Sequence, residues 1–157
     1  MRREDAGALF PTFSDEAQCR YLTRPAFRSE EELWGWLAEP GWNGRTWIAE
    51  DRKGKVAGRF VAVPGHDDGI EEIGYITCLH RQGEGVASEC ATALIAHLFD
   101  TGARKITAEV DCENAASIRL LEKLGFAREA HFREHEVTHI GLRDVYMYGL
   151  LAADRRG

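Results

Sequence analysis

The sequence predicts an α/β fold of the α+β kind, a mixed and mostly antiparallel central sheet with helices packed on both faces. Three observations predict it. Beyond residue 71 the apolar pattern runs strand, helix, strand, helix; a strand hairpin precedes that run; and two further strand-like segments close the chain. With 157 residues, 44% of them hydrophobic, the chain suffices for one domain with a sizeable core and is short for two, so residues 1–157 read as a single domain.

Asp5 to Phe13 carries apolar residues near helical spacing, and Ser29 to Glu32 (SEEE) forms a capping box ahead of LWGWL, whose Leu33, Trp34 and Leu37 would share the buried side. After the turn PGWNG, the segments TWIAED and KVAGRFVAV read as a hairpin joined through Arg52, Lys53 and Gly54. PGHDDG makes a second turn into EEIGYITCLH, a strand that runs straight into the stretch RQGEGVASE. A mostly apolar helix then reaches about Phe99 and stops at Thr101-Gly102. The strand KITAEVD follows, then the helix AASIRLLEKL, closed by Gly125. FAREAHFREHEVTHI and DVYMYGLLA complete the sheet.

Twenty Lys and Arg against 26 Asp and Glu give a net charge of −6 with no basic block, which argues against nucleic acid or an anionic membrane as partner and favours a cationic substrate. The longest apolar run is about half of the ~20 residues that span a bilayer, and MRREDAGALF lacks the apolar core of a signal peptide, so a cytoplasmic protein is expected. Cys19, Cys78, Cys90 and Cys112 form no CxxC pair, which indicates neither a zinc site nor a disulfide framework. Histidines 131, 135 and 139 would sit about 6 Å apart on a helix but about 13 Å apart on a strand. Phe132, Val137, Thr138 and Ile140 favour the strand, hence an outward histidine ladder and no metal.

Two glycines, Gly83 and Gly85, stand one residue apart just before a helix. Free N–H groups and the positive end of the dipole make an anion site where small residues let backbone approach a ligand. An ordinary turn in which both glycines take positive φ explains this stretch equally well. No Gly-Lys-Ser/Thr follows and a third glycine is absent, so neither a Walker A loop nor a dinucleotide fingerprint is present. About thirty residues later comes Asn114-Ala-Ala-Ser117-Ile-Arg-Leu-Leu-Glu-Lys-Leu-Gly125-Phe126. Together with Gln82-Gly83-Glu84-Gly85-Val86-Ala87, in this order and at this spacing, the chain resembles the GNAT superfamily of N-acetyltransferases, and most closely the branch of the ribosomal-protein-alanine N-acetyltransferases. EEIGYI and REDAGALFPTFSDEA extend the likeness over nearly the whole chain.

The resemblance implies acetyl coenzyme A as cosubstrate. Its pyrophosphate would rest on N–H groups of Gln82, Gly83, Glu84, Gly85, Val86, Ala87 and Ser88, and its pantetheine would run beside Thr77, Cys78 and Leu79 and reach Asn114. It also implies that the EEIGY strand splays from its parallel neighbour KITAEVD. Glu84 can then point to solvent, because backbone rather than side chains holds the phosphates. Many family members place a proton-donating Tyr where this chain has Leu121; in the ribosomal-protein branch the acid is a Ser three residues after the Asn, here Ser117. The matching base is Glu136, which would orient the amine and relay its proton. Both residues have plain structural readings too, Ser117 at a helix N3 position and Glu136 among solvated strand glutamates.

The acceptor implied is an amine, on a small molecule or at a peptide N-terminus, met by the N-terminal helices, the turn near Trp42 and the loop from Thr138 to Arg143. Family members usually carry one more strand before REDAGALF, and only Met1 to Arg3 stand in its place; either the chain is truncated there or the neighbouring sheet edge is left bare, which would favour a homodimer. An acyl-coenzyme A binding module without turnover, suggested by Leu121, and a scaffold domain are the alternatives.

Overall fold

The computed structural model describes residues 1–156. Helix α1 (Arg3–Phe13) buries Ala6, Leu9 and Phe13, one stripe at helical spacing. In α2 (Glu30–Leu37) the Ser29 Oγ accepts the Glu32 N–H at 3.1 Å, while the Glu32 carboxylate reaches back to the Arg28 N–H at 2.8 Å, so the expected capping box closes one residue earlier than its usual form. Leu33 and Leu37 are buried; Trp34 is only half-buried, under the Arg3 guanidinium.

Strands β1 (Arg45–Glu50) and β2 (Val56–Pro64) form the anticipated hairpin, its turn resting on Gly54 at φ +74° and on Asp51 Oδ1, which accepts the Lys53 and Lys55 N–H groups. β3 (Ile70–Thr77) follows, then α3 (Val86–Asp100), β4 (Lys105–Asp111), α4 (Ala115–Lys123), β5 (Ala127–Thr138) and β6 (Gly141–Leu151). The six strands lie in the order β1-β2-β3-β4-β6-β5, all neighbours antiparallel except β3 and β4. That parallel pair is joined only at Ile70–Lys105, Glu71–Ile106 and Glu72–Thr107; beyond these the strands part, leaving the β4-facing backbone of Ile73 to Thr77 free of a strand partner. Helices cover both faces, in two separate apolar clusters. One packs α3 and α4, through Leu94, Ile95, Leu98 and Leu121, on Phe60, Ile73, Ile106 and Tyr148. The other packs α1 and α2 on Val56, Cys78, Ile48 and Ile76.

Three expectations are corrected. β3 ends at Thr77, and Leu79–Arg81 form a 3-10 turn, because Cys78 turns its side chain into the α1 cluster instead of continuing the alternation. The β5–β6 connection is a two-residue turn, His139 and Ile140, since Gly141 at φ +108° turns directly into β6, so Arg143 is a strand residue. The histidines form no ladder: Phe132 pairs with Val145 and Glu136 with Arg143, so four steps along β5 answer two along β6. This bulge, with Glu134 at φ +50°, sends His131 to Asp144 (3.4 Å) on one face and His135 to Glu109 (3.6 Å) on the other.

Candidate functional site

The start of α3 is an array of unpaired donors. Gly83 and Gly85 take φ +79° and +85°, and a Cβ on either would meet nothing within 4 Å, so each serves its turn by left-handed backbone and leaves the space above it open. The first N–H here to find a backbone carbonyl is that of Glu89, which donates to Gly85 at 3.0 Å; those of Gly83, Glu84, Gly85, Val86, Ala87 and Ser88 have no partner among the described residues. Such an arrangement fits a diphosphate. Glu84 does not simply face solvent: its carboxylate accepts from Arg81 Nε at 2.7 Å, and Arg81 also pairs with Asp51 at 3.1 Å. Both carboxylates raise the proton affinity of Arg81, Glu84 foremost.

Farther along, Cys78 and Leu79 have no amide to spare, since Cys78 donates to Ala57 O at 2.9 Å and Leu79 to Thr12 Oγ1 at 2.9 Å. The Cys78 thiol is 1% exposed. Thr77 ends β3, and its carbonyl accepts the Gln82 amide at 3.4 Å, while that amide also meets Gln18. Asn114 caps α4 by accepting the Ser117 N–H at 3.2 Å, which leaves the Ser117 hydroxyl for other work. Burial pushes the Tyr75 phenol on β3 up, and Ser117 opposes that shift. Leu121 is 1% exposed, in the core rather than at the opening.

On the other face the sheet carries carboxylates. Glu72 is the last residue of β3 paired with β4, and Glu109 lies two residues beyond its partner on β4. Burial first, then the charge of Glu109, pushes the Glu72 carboxyl up; burial first, then Glu136, does the same for Glu109, opposed by His135. Glu136 thus comes together with Glu72, Glu109 and His135 across three strands. Sequence reasoning missed Glu72 and Glu109; the EEIGY stretch was the only signal, and it does not say which strand lies beside it. Glu72 lines a depression of about 550 Å³ with His66, Lys105, Glu129 and Met147, and a separate one of about 720 Å³ lies between the α1–α2 segment and the β5–β6 turn, lined by Ser14, Arg20, Phe27, Arg28, His139 and Ile140. The histidine turn lines this second depression, and the Trp42 region adjoins it through Arg59, Trp36 and Phe27. The Trp42 ring covers Arg59, whose guanidinium burial pulls down to about 10. No trio of His, Cys, Asp or Glu that could hold a metal occurs among the described residues, and no helix there is long and apolar enough to cross a membrane.

Comparison with known proteins points the same way. Residues 1–127 match the family described as acetyltransferase (GNAT) domain. An uncharacterized N-acetyltransferase, p20 of Bacillus licheniformis, is 31% identical over 166 aligned residues, covering 100% of this chain and 93% of the relative. A GNAT-family acetyltransferase from Bacillus anthracis superposes with a TM-score of 0.86 at 25% identity, over 96% of this chain and 91% of that one. The spermidine N-acetyltransferase of Vibrio cholerae, solved with CoA and spermine, shares the fold at a TM-score of 0.84 and 20% identity, over 100% and 95% of the two chains.

Proposed function

Because the chain belongs to the GNAT family of acetyl-coenzyme A-dependent N-acetyltransferases, we propose that it carries an acetyl group to a primary amine, on a small molecule or at a peptide N-terminus, by direct attack of the amine on the thioester. One observation supports this reading above the others: β3 and β4 part after three pairs, with unpaired N–H groups at one end of the opening and carboxylates on the face away from α3 and α4. The thioester supplies an activated acetyl group. The N–H groups of Gly83 to Ser88 hold its diphosphate, and Asn114 and the free edge of Ile73 to Thr77 align the pantetheine.

Glu72, Glu109 and Glu136 attract the ammonium form of the acceptor, and Glu136 orients the amine and takes its proton on the way to solvent. Ser117, across the opening, serves the departing thiolate. A row of three carboxylates favours acceptors that carry positive charge, in keeping with the chain's net charge of −6. The test is thiol release from acetyl coenzyme A against a panel of di- and polyamines, monoamines, amino acids and short peptides. Release with cationic amines, at kcat/KM at least tenfold above neutral or anionic acceptors, is the expected result; release only with acidic peptides would overturn the acceptor assignment.

A further inference from the structure

An acid stands inside the array of donors proposed for the diphosphate. Glu84 falls between Gly83 and Gly85, and Gly85 is the N-cap of α3, so this carboxylate leaves the chain one residue before the helix begins. An anion at such a place is itself a suitable partner for free N–H groups and for the positive end of a helix. A Cβ on either glycine would meet nothing within 4 Å, so no neighbouring side chain keeps the carboxylate from folding over the start of α3. It nevertheless accepts no N–H there among the described residues. Instead it turns back to Arg81, the last residue of the 3-10 turn, whose Nε donates to Glu84 Oε2 at 2.7 Å. The Nη1 of Arg81 donates to Asp51 Oδ2 at 3.1 Å. Asp51 is in turn fixed by the β1–β2 turn, since its Oδ1 accepts the N–H groups of Lys53 and Lys55, both at 2.9 Å.

We propose that Arg81 is a positioning residue for the cosubstrate: anchored on Asp51, it holds the Glu84 carboxylate away from the N–H groups of Gly83 to Ser88, which that carboxylate would otherwise occupy in place of the diphosphate. This deepens the acetyltransferase reading and rests on it. A competitor tethered within the same loop acts at high effective concentration, so a device that restrains it matters more than the modest strength of a half-exposed ion pair suggests. The charges agree with this arrangement. Glu84 foremost, and Asp51 with it, raises the proton affinity of Arg81, while the N–H groups of Lys55 and Lys53 and then Arg81 hold Asp51 below the usual carboxylate range. The incoming diphosphate therefore meets a loop whose one acid is both neutralised and turned aside. With a neutral residue at position 84 the arginine would have nothing to restrain, so the effects of the two side chains are inseparable.

Arg81→Gln frees the carboxylate. It should raise the KM for acetyl coenzyme A about tenfold, with kcat within about threefold, because the obstruction precedes chemistry. In the Glu84→Gln background the same change should raise KM less than about twofold, since an amide carries no charge with which to compete. The Kd for coenzyme A, measured by equilibrium titration, should follow the same pattern. With acetyl pantetheine, a thioester without the diphosphate, Arg81→Gln should alter KM less than about twofold.

Equal KM for wild type and Arg81→Gln overturns this role. So does a tenfold rise that persists in the Glu84→Gln background or with acetyl pantetheine, because Arg81 would then bind phosphate itself or merely support the loop. Should Arg81→Gln fail to fold, Glu84→Gln alone carries the test: it should lower the KM for acetyl coenzyme A about two- to threefold, and a rise overturns the proposal. Each of these failures leaves the acetyltransferase reading standing. A wild-type protein that neither binds coenzyme A nor releases thiol with any amine overturns both.

Discussion

Glu109 holds its proton more tightly than a free glutamate because the fold strips part of the water from its carboxyl and because Glu136, two strands away, adds its charge. A carboxylate in that setting serves an incoming ammonium twice, by attraction and by readiness to accept a proton. Glu136→Gln is accordingly expected to lower kcat about 10- to 100-fold while the acceptor KM changes less than about threefold, as steady-state kinetics will measure. Glu72 gives a stability prediction with a definite sign. Its carboxyl is raised by burial and then by Glu109, so its folded form binds a proton more readily than its unfolded form. Its contribution is fully present below the ordinary glutamate range, about pH 4, and is lost as pH rises through the raised value. Glu72→Gln should thus melt a few degrees higher than wild type at pH 8 and level with it near pH 4. Residue identity made Ser117, Asn114 and Glu136 legible in the sequence, through the family resemblance. It could not reveal Glu72 or Glu109, because what brings them together with Glu136 is which strands lie side by side.

The strand-to-helix passage from Thr77 to Val86 is where local rules and outcome diverge most usefully. Periodicity announced β3 and α3 but ran the strand through Cys78 and Leu79; in the fold Cys78 is drawn under α1, and Thr12 claims the next amide. The two readings of the glycines are compatible, since both take positive φ and the N–H groups at the start of α3 are left without backbone partners. Gly85→Ala forces a Cβ into left-handed backbone at about 1–2 kcal/mol. It should lower Tm by several degrees and raise the KM for acetyl coenzyme A at least fivefold, with the acceptor KM little changed. The β5 bulge was illegible for a different reason: AREAHFREHEVT alternates well enough to predict a strand, and only its pairing with β6 exposes the two additional residues and the positive φ of Glu134.

At the scale of the whole molecule, the order of elements and the mixed sheet were readable because helix stops, turns and alternation agreed at each boundary. The three-pair contact between β3 and β4 was implied only by the resemblance. A ligand bound by the native opening alone must stabilise the fold. Acetyl coenzyme A at about 100 times its Kd contributes about 2.7 kcal/mol, which for a chain of this size raises Tm by about 5–10 °C, measurable by a thermal melt with and without it. The sheet also acts as a partition. The apolar residues beneath α1 and α2 and those beneath α3 and α4 share no member, and the donors proposed for the cosubstrate belong to the second set of helices. Yet the partition is bridged, since Thr12 of α1 accepts the Leu79 N–H and Gln18 meets the Gln82 amide, so a displacement of the amino-terminal layer pulls on the turn that leads into α3.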